Sequence, residues 1–434
     1  MATLPLQEHN YWLTTTEFPK TELRNLPDRA EVAVIGAGFT GLSAARTLAK
    51  RGAKVIVLES ETIGWGASSR NGGMVLTGMK LGVNQLIAMY GRDLTRRMYA
   101  ASLETIDCVE QIIREEAIDC DFSRCGHLEV ACKRKHFEDY ARQAEVIACE
   151  FNHKLSVVQR GELSSEIGST IYYGGMVDEV SAGLNPGRYV AGLSRAAMKA
   201  GAEIFESARV EVLQRESSQG ESGWKITTSR GKLWAREVFV GTSGYTGKAT
   251  PALQKKIIPI GSFIITTEIL PEALAHELSP RNRMIYDSKN YLYYYRLTPD
   301  RRMLFGGRAA FFPENDRTIR RSAEILHRGM IDVYPHLRDA KVEYVWGGTL
   351  DFAFDIMPHA GQIDGMYYAV GYAGHGVAMA THQGQKMAEL MSGDKPENPF
   401  VGIPFPGAPL GLYNGRPWFL PFAGMWYKFL DWVS

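Results

Sequence analysis

Gly36-Ala37-Gly38-Phe39-Thr40-Gly41 spells GxGxxG directly after the apolar run Val32 to Ile35 and at the opening of a helical stretch. That context suits a dinucleotide pyrophosphate resting on the first N–H groups of a helix. Gly36 permits the turn, Gly38 lets the backbone approach phosphates with no Cβ in the way, and Gly41 allows close packing of helix on strand. Phe39 and Thr40 belong to the same turn. Glu59 lies 18 residues past Gly41, at the end of a second strand and just before Ser60. It is placed to accept hydrogen bonds from ribose hydroxyls, and an acid there disfavours a 2′-phosphate. Glycines that merely made a turn would not need that acid.

Two further segments extend the reading from a dinucleotide to FAD. The run from Gly64 to Val75, GWGASSRNGGMV, follows the ribose-binding strand and suits the covering of a pyrophosphate and ring system in an outstretched cofactor. Within it Gly66 and Ala67 lead in, Ser68, Ser69, Arg70 and Asn71 supply donors, Gly72 and Gly73 let the backbone come close, and Met74 follows. A solvated loop is the plainer alternative. Near the C-terminus, Gly371, Tyr372, Ala373, Gly374, His375, Gly376 and Val377 form the entrance to another helix. Its first N–H groups would face the N1–C2=O region of the flavin, where negative charge collects after hydride transfer. His375 would add to that field or contact the ring; a purely structural turn histidine is the equal alternative.

These segments need rigid supports, and the surrounding pattern provides them. The chain from Glu31 to Ser60 reads strand, glycine turn, helix, strand, with Leu42, Ala45 and Leu48 as the helix's apolar stripe and Gly52 as its stop. Leu86 to Glu116 is helical in pattern, a second long helix begins at His136, and HLEVAC between them is a strand signal. Asn185-Pro186 is an N-cap followed by proline at the first helical position, and that helix stops at Gly201. AEIFESARVEVLQRE reads as one strand, joined by a polar hairpin to WKITTS, and REVFV leads into the turn Gly241, Thr242, Ser243, Gly244. From Pro251 to Ala340 the pattern is β-rich with alternating aromatic and polar positions, plus one amphipathic helix from Thr318.

The net charge names no partner, and any charged ligand must be recognised locally. With 49 basic and 48 acidic side chains, no global field favours nucleic acid or an anionic membrane. Five cysteines (108, 120, 125, 132 and 149) stand at irregular spacing, which suits a reducing compartment, and no apolar run is long enough to span a bilayer. The expected location is cytoplasmic.

VAVIGAGFTGLSAARTLAKRGAKVIVLE, GWGASSRNGG, LTPDRRMLFGGRAAF, WGGTLDFAFDIMPHAG and YYAVGYAGHGVAMAT together resemble the D-amino-acid oxidase-type flavoproteins, within them the γ-glutamylputrescine oxidoreductase-like group. The likeness runs in one order from about Tyr11 to Gly393. It implies an α/β fold: a Rossmann-like FAD-binding domain with a second β-rich (α+β) substrate domain. FAD-binding segments would cover 28–85, 151–250 and 346–395, a mainly helical part of the substrate domain 86–150, the β-rich substrate domain 251–345, and a tail 396–434. By position, Val210 matches the residue whose backbone meets adenine, and Gly241 to Gly244 match the turn beside the cofactor. Relatives that bind flavin covalently do so through a C-terminal-domain cysteine or a histidine after the GxS segment. No cysteine follows Cys149, and positions 68 to 71 are Ser-Ser-Arg-Asn, so noncovalent FAD is expected.

The resemblance also implies oxidation of a small amine or amino-acid-like substrate to an imine, with oxygen or quinone as final acceptor. Oxidation of a D-amino acid, an N-methyl amino acid or a 2-hydroxy acid is the alternative within enzymes, and a non-catalytic flavin-binding assembly protein the alternative outside them. Pocket candidates are Tyr293, Tyr295, Arg296, Arg308 and Phe352. Strand alternation puts Tyr293 and Tyr295 on one face and Tyr294 and Arg296 on the other, and either pair could face the flavin. Either arginine could hold a substrate carboxylate or serve an ordinary ion pair. The aromatic tail from Pro417 could dock on its own domain, form a subunit contact, or lie at the inner face of the membrane.

Overall fold

The computed structural model describes residues 8–21, 24–307, 316–420, 422 and 424–426. Within the strand Arg29–Ile35, Val32 to Ile35 is apolar and buried without alternation, and a run of that kind must be covered on both faces. It lies inside a largely parallel sheet, with Val55–Leu58 and then Glu203–Phe205 on one side and Gly231–Val240 and then Met366–Val370 on the other. His359–Ile363 closes that edge antiparallel. Val34 stands opposite both Val57 and Phe239, so the registers agree across the layer.

Helices Phe39–Lys50, Pro186–Lys199 and Gly376–Met391 pack against this sheet through one core that includes Leu42, Ala45, Leu48, Leu193, Val377 and Met387. The first and last of them approach closely: a Cβ on Gly384 would lie 2.3 Å from the Thr40 carbonyl oxygen. Asn185 accepts the Arg188 N–H at 3.1 Å and Pro186 opens its helix, the capping that the sequence expects.

A second eight-stranded sheet runs in the order Val342–Ala353, Ile257–Thr267, Met303–Gly307, Tyr293–Leu297, Met284–Asp287, His127–Val130, Gly174–Asp178, Ser156–Gln159. Alternation divides its side chains. Leu128, Val130, Phe263, Ile285, Tyr295 and Phe305 are buried with Leu326 and Met330 of the helix Asp316–Val333, while from the other face Ile264 and Leu304 pack with Tyr11 and Trp12.

The elements differ from the sequence pattern in three places. The helical run from Leu86 breaks into Val83–Tyr90 and Arg92–Glu115 because Gly91 takes φ +76°, and the longer piece packs in the core beneath the nucleotide layer. AEIFESARVEVLQRE divides into Glu203–Phe205 and Val210–Ser218 around Ser207 at φ +52°. That turn donates the Ala208 N–H to the Glu59 carbonyl. Ser156–Gln159 and Gly174–Asp178 pair in the second sheet, so 151–250 contributes to both sheets. All five cysteines are free thiols. Among the described residues no helix is long and apolar enough to cross a membrane.

Candidate active site

The glycine turn has the shape a dinucleotide needs. Gly36 adopts φ +99°, which a side chain would disfavour, and Gly38 precedes the helix without any side-chain cap. A Cβ on Gly38 would stand 2.8 Å from Ser68 Oγ, so a side chain would fill the cradle over the helix N-terminus. The hydroxyl of Ser68 accepts the Phe39 N–H at 2.8 Å. Phe39's own ring packs on Tyr189, leaving its backbone to address the cradle. Thr40 shares a buried hydrogen bond with the Tyr372 hydroxyl at 2.9 Å, tying the two glycine-rich turns together. Glu59 accepts the Ala37 N–H at 2.8 Å and the Glu61 N–H at 3.0 Å, and Ser60 turns its hydroxyl onto the same carboxylate. The half-buried Val210 begins its strand just past the turn that returns to Glu59.

On the other flank, Gly241 lies under the turn: its Cβ would come 3.1 Å from the Gly41 nitrogen. Thr242 is bonded to Thr246, Ser243 takes φ +49°, and Gly244 sits against the Leu350 carbonyl. The donor set and the Cβ-free cradle fit FAD, which Gly36 to Gly41, Glu59 and the 66–74 segment would hold.

That segment is braced by residues the sequence reading passed over. Ala67–Arg70 is one helical turn entered at Gly66. Asn10 donates to the Ser69 carbonyl at 2.8 Å, and the fully buried Trp12 donates its indole N–H to the Asn71 carbonyl at 2.9 Å. A polar leader therefore carries structural duty, and the adjacent Tyr11 and Trp12 were its visible signal. Asn71 accepts the Gly73 N–H and donates to the Ala67 carbonyl, while Arg70 donates to the carbonyls of Trp65 and Gly347, which couples the segment to the second sheet. These side chains position the backbone as well as presenting donors.

At the C-terminal turn, Asp351 of the second sheet accepts the Gly371 N–H at 2.6 Å and the Tyr372 N–H at 3.2 Å. Its carboxyl is fully buried, and burial pushes its pKa up to about 6 against those hydrogen bonds. Ala373 and Gly374 follow at φ +51° and +97°, and His375 caps the helix Gly376–Met391. Val377 is buried beneath. His375 Nδ1 has no hydrogen-bond partner, and burial above all, then the charge of Lys80, pushes its pKa down to about 3. The imidazole is neutral throughout the physiological range.

A cavity of about 760 Å³ joins these parts. Ala67, Arg70, Asn71, Gly72 and Met74 form one side, Gly374, His375 and Val377 another, and Tyr294, Leu350 and Phe352 of the second sheet a third. Phe352 is thus brought to the site. Tyr293 and Tyr295 are not: Tyr295 is fully buried, stacked on Phe305 and bonded to Tyr172, and Tyr293 packs on Phe305 from the same face. Tyr294, from the opposite face, lines the cavity. Arg296 shares that face but turns inward, donating to the carbonyls of Gly73, Leu184 and Leu297, so it braces the 66–74 segment and holds no carboxylate. Arg308 lies outside the described residues. Sequence reasoning also missed His127, Glu129 and Tyr286, which line the far part of the cavity from strands flagged only as β. From the tail, Phe419 and Leu420 line the cavity, with Leu420 buried against Ile258, Ile260 and Phe352, while Trp418 and Phe422 are exposed.

The chain is similar to known proteins. Residues 31–390 match the family model described as FAD dependent oxidoreductase. The chain is 33% identical over 414 residues to "Probable oxidoreductase OrdL" of Haemophilus influenzae, spanning 93% of this chain and 92% of that one. It is 31% identical over 421 residues to gamma-glutamylputrescine oxidoreductase of Escherichia coli, spanning 96% and 95%. Glycine oxidase from Geobacillus kaustophilus superposes with a TM-score of 0.71 at 19% identity, over 88% of this chain and 99% of that one, which shows the shared two-domain FAD fold. The chain belongs to the DAO family of FAD-dependent oxidoreductases.

Proposed function

We propose that the cavity receives a small amine or amino-acid-like molecule, of the γ-glutamylputrescine type, and that its C–N bond is oxidised to an imine. The observation that carries this reading is the convergence on one cavity of the 66–74 segment, the Gly374–Gly376 helix entrance and the aromatic face of the second sheet. The relative named gamma-glutamylputrescine oxidoreductase supports the choice of a C–N bond. FAD, when bound, supplies the hydride acceptor. The carbon beside the amine loses a hydride, its nitrogen loses a proton, and water later splits the imine into carbonyl compound and amine. Tyr294, Phe352, Phe419 and Leu420 exclude water while the amine is held. His375, neutral and with Nδ1 unspent, offers a hydrogen-bonding group at the helix entrance that adds no charge.

Anaerobic mixing of the holoenzyme with amines, amino acids and 2-hydroxy acids tests the reading. Bleaching of the flavin's visible band by amines is expected, and bleaching by hydroxy acids alone would overturn it. Readmitted air, compared with a quinone, then identifies the acceptor. A separate expectation concerns attachment: acid precipitation should leave all the yellow colour in the supernatant, whereas a yellow pellet would contradict noncovalent binding.

A further inference from the structure

We infer that the far part of the cavity is a subsite for a second, cationic nitrogen on the substrate, with the Glu129 carboxylate as its counter-charge. This rests on the amine reading above and deepens it to an elongated amine that carries an ammonium group away from the reacting carbon.

Strand alternation aims Glu129 at the cavity, because its neighbours Leu128 and Val130 are both fully buried in the core on the opposite face. Parallel pairing sets Tyr286 directly beside Glu129, and antiparallel pairing sets Met176 on its other side. Neighbouring acids are already served by the protein. Asp178 accepts hydrogen bonds from Thr77, His153 and the Val180 N–H, and Asp287 pairs with Lys289 at 2.9 Å. Glu129 has no ion-pair partner among the described residues, although it lies deep enough for burial to push its pKa upward. A carboxylate in that setting is costly, and an apolar side chain would serve a purely structural wall better. The charge of Lys80 acts on Glu129 in the direction that keeps it ionised.

What surrounds the carboxylate suits a cation more than a second anion. The hydroxyls of Tyr286 and Tyr140 stand beside the carboxylate and act on it as hydrogen-bond donors, which favours its ionised form. The rings of Tyr99 and Tyr286 offer apolar, electron-rich walls on which an ammonium and its methylenes can rest. His127 bonds Ser181 at 2.8 Å and Tyr286 at 3.3 Å, and burial pushes its pKa down to about 4, so no positive charge from that ring competes with the ligand. The same cavity continues to His375 and the 66–74 segment, so one extended molecule can reach both ends.

The test compares three amines of matched length on the holoenzyme: a free diamine, a diamine acylated at one nitrogen by an amino acid that keeps its α-ammonium, and a mono-amine capped by an uncharged acyl group. Binding is followed by perturbation of the flavin spectrum, using forms quaternised at the reacting nitrogen, which keep its charge and cannot be oxidised, and turnover by anaerobic bleaching. Wild type should bind the two dicationic ligands more tightly than the capped one. Glu129→Gln should weaken those two about 10- to 100-fold while leaving the capped amine and flavin content unchanged. Glu129→Asp should recover part of the loss. Which dicationic ligand loses more identifies the head as a simple amine or an amino acid. Equal losses for charged and capped ligands, or no wild-type preference, would overturn the subsite. Should no amine bleach the flavin, the amine reading fails while the binding series still decides the subsite.

Discussion

Replacing Gly41 by alanine should yield protein that folds poorly and retains little flavin. The added Cβ would lie 1.9 Å from the Gly36 carbonyl oxygen, and that oxygen belongs to backbone held by the Gly36–Leu58 hydrogen bond. Helix Phe39–Lys50 would have to lift from Arg29–Ile35, carrying its N-terminal N–H groups away from the cradle where a pyrophosphate would rest. Overpacking of this kind costs about 3 kcal/mol, equivalent to roughly 100-fold weaker FAD binding if the cost falls on the bound state. Flavin-to-protein absorbance after gel filtration checks it. Gly52→Ala is the control: nothing lies within 4 Å of its Cβ, so only the strain of φ +89° is added and flavin content should stay near normal. Full flavin content in the Gly41→Ala variant would show that the helix tolerates the displacement.

Asp351→Ala should lower both stability and turnover. Two N–H groups, of Gly371 and Tyr372, lose their carboxylate acceptor in a buried setting. Each orphaned donor costs about 1–3 kcal/mol, so denaturant midpoints should fall by the equivalent of about 2–5 kcal/mol. The turn that presents Gly374 to Gly376 would also lose its anchor to the second sheet, and amine-dependent bleaching should slow by about 10-fold or more. Asp351→Asn keeps one carbonyl acceptor and should be milder. It should also change the pH response. With its pKa raised to about 6, the folded protein holds this proton more tightly than the unfolded chain does. The contribution to stability is therefore largest below about pH 4 and declines as pH rises to 6, by on the order of 3 kcal/mol, and the amide should lack that decline. Identical slopes in the two proteins would remove Asp351 from this role.

Much of the cofactor end was readable from the sequence alone. GxGxxG, an acid 18 residues further on and a glycine-rich helix entrance are local patterns, each confined to a turn and the element it opens. Their chemistry depends on backbone conformation and on neighbours a few positions away. The substrate end was not local. Tyr293, Tyr294 and Tyr295 are adjacent and chemically equivalent in the sequence, and alternation restricted the choice to two faces without selecting one. The helix Asp316–Val333 made the selection by covering the face with Tyr293 and Tyr295, so Tyr294 was left to the cavity.

The same distinction explains Arg296 and Glu129. An arginine on a pocket strand suits a carboxylate, but the approach of the 66–74 segment brought the carbonyls of Gly73 and Leu184 to it first. Glu129 stands in a short strand with no motif, and only pairing across the sheet with Met284–Asp287 brought Tyr286 to its side. The sequence by itself determined a flavoprotein with an α/β nucleotide layer, because short-range spacing specifies how backbone N–H groups meet a phosphate. Only the tertiary structure decided which side chains face the cavity and which brace it, because that choice depends on what covers each face of a sheet assembled from segments more than 100 residues apart.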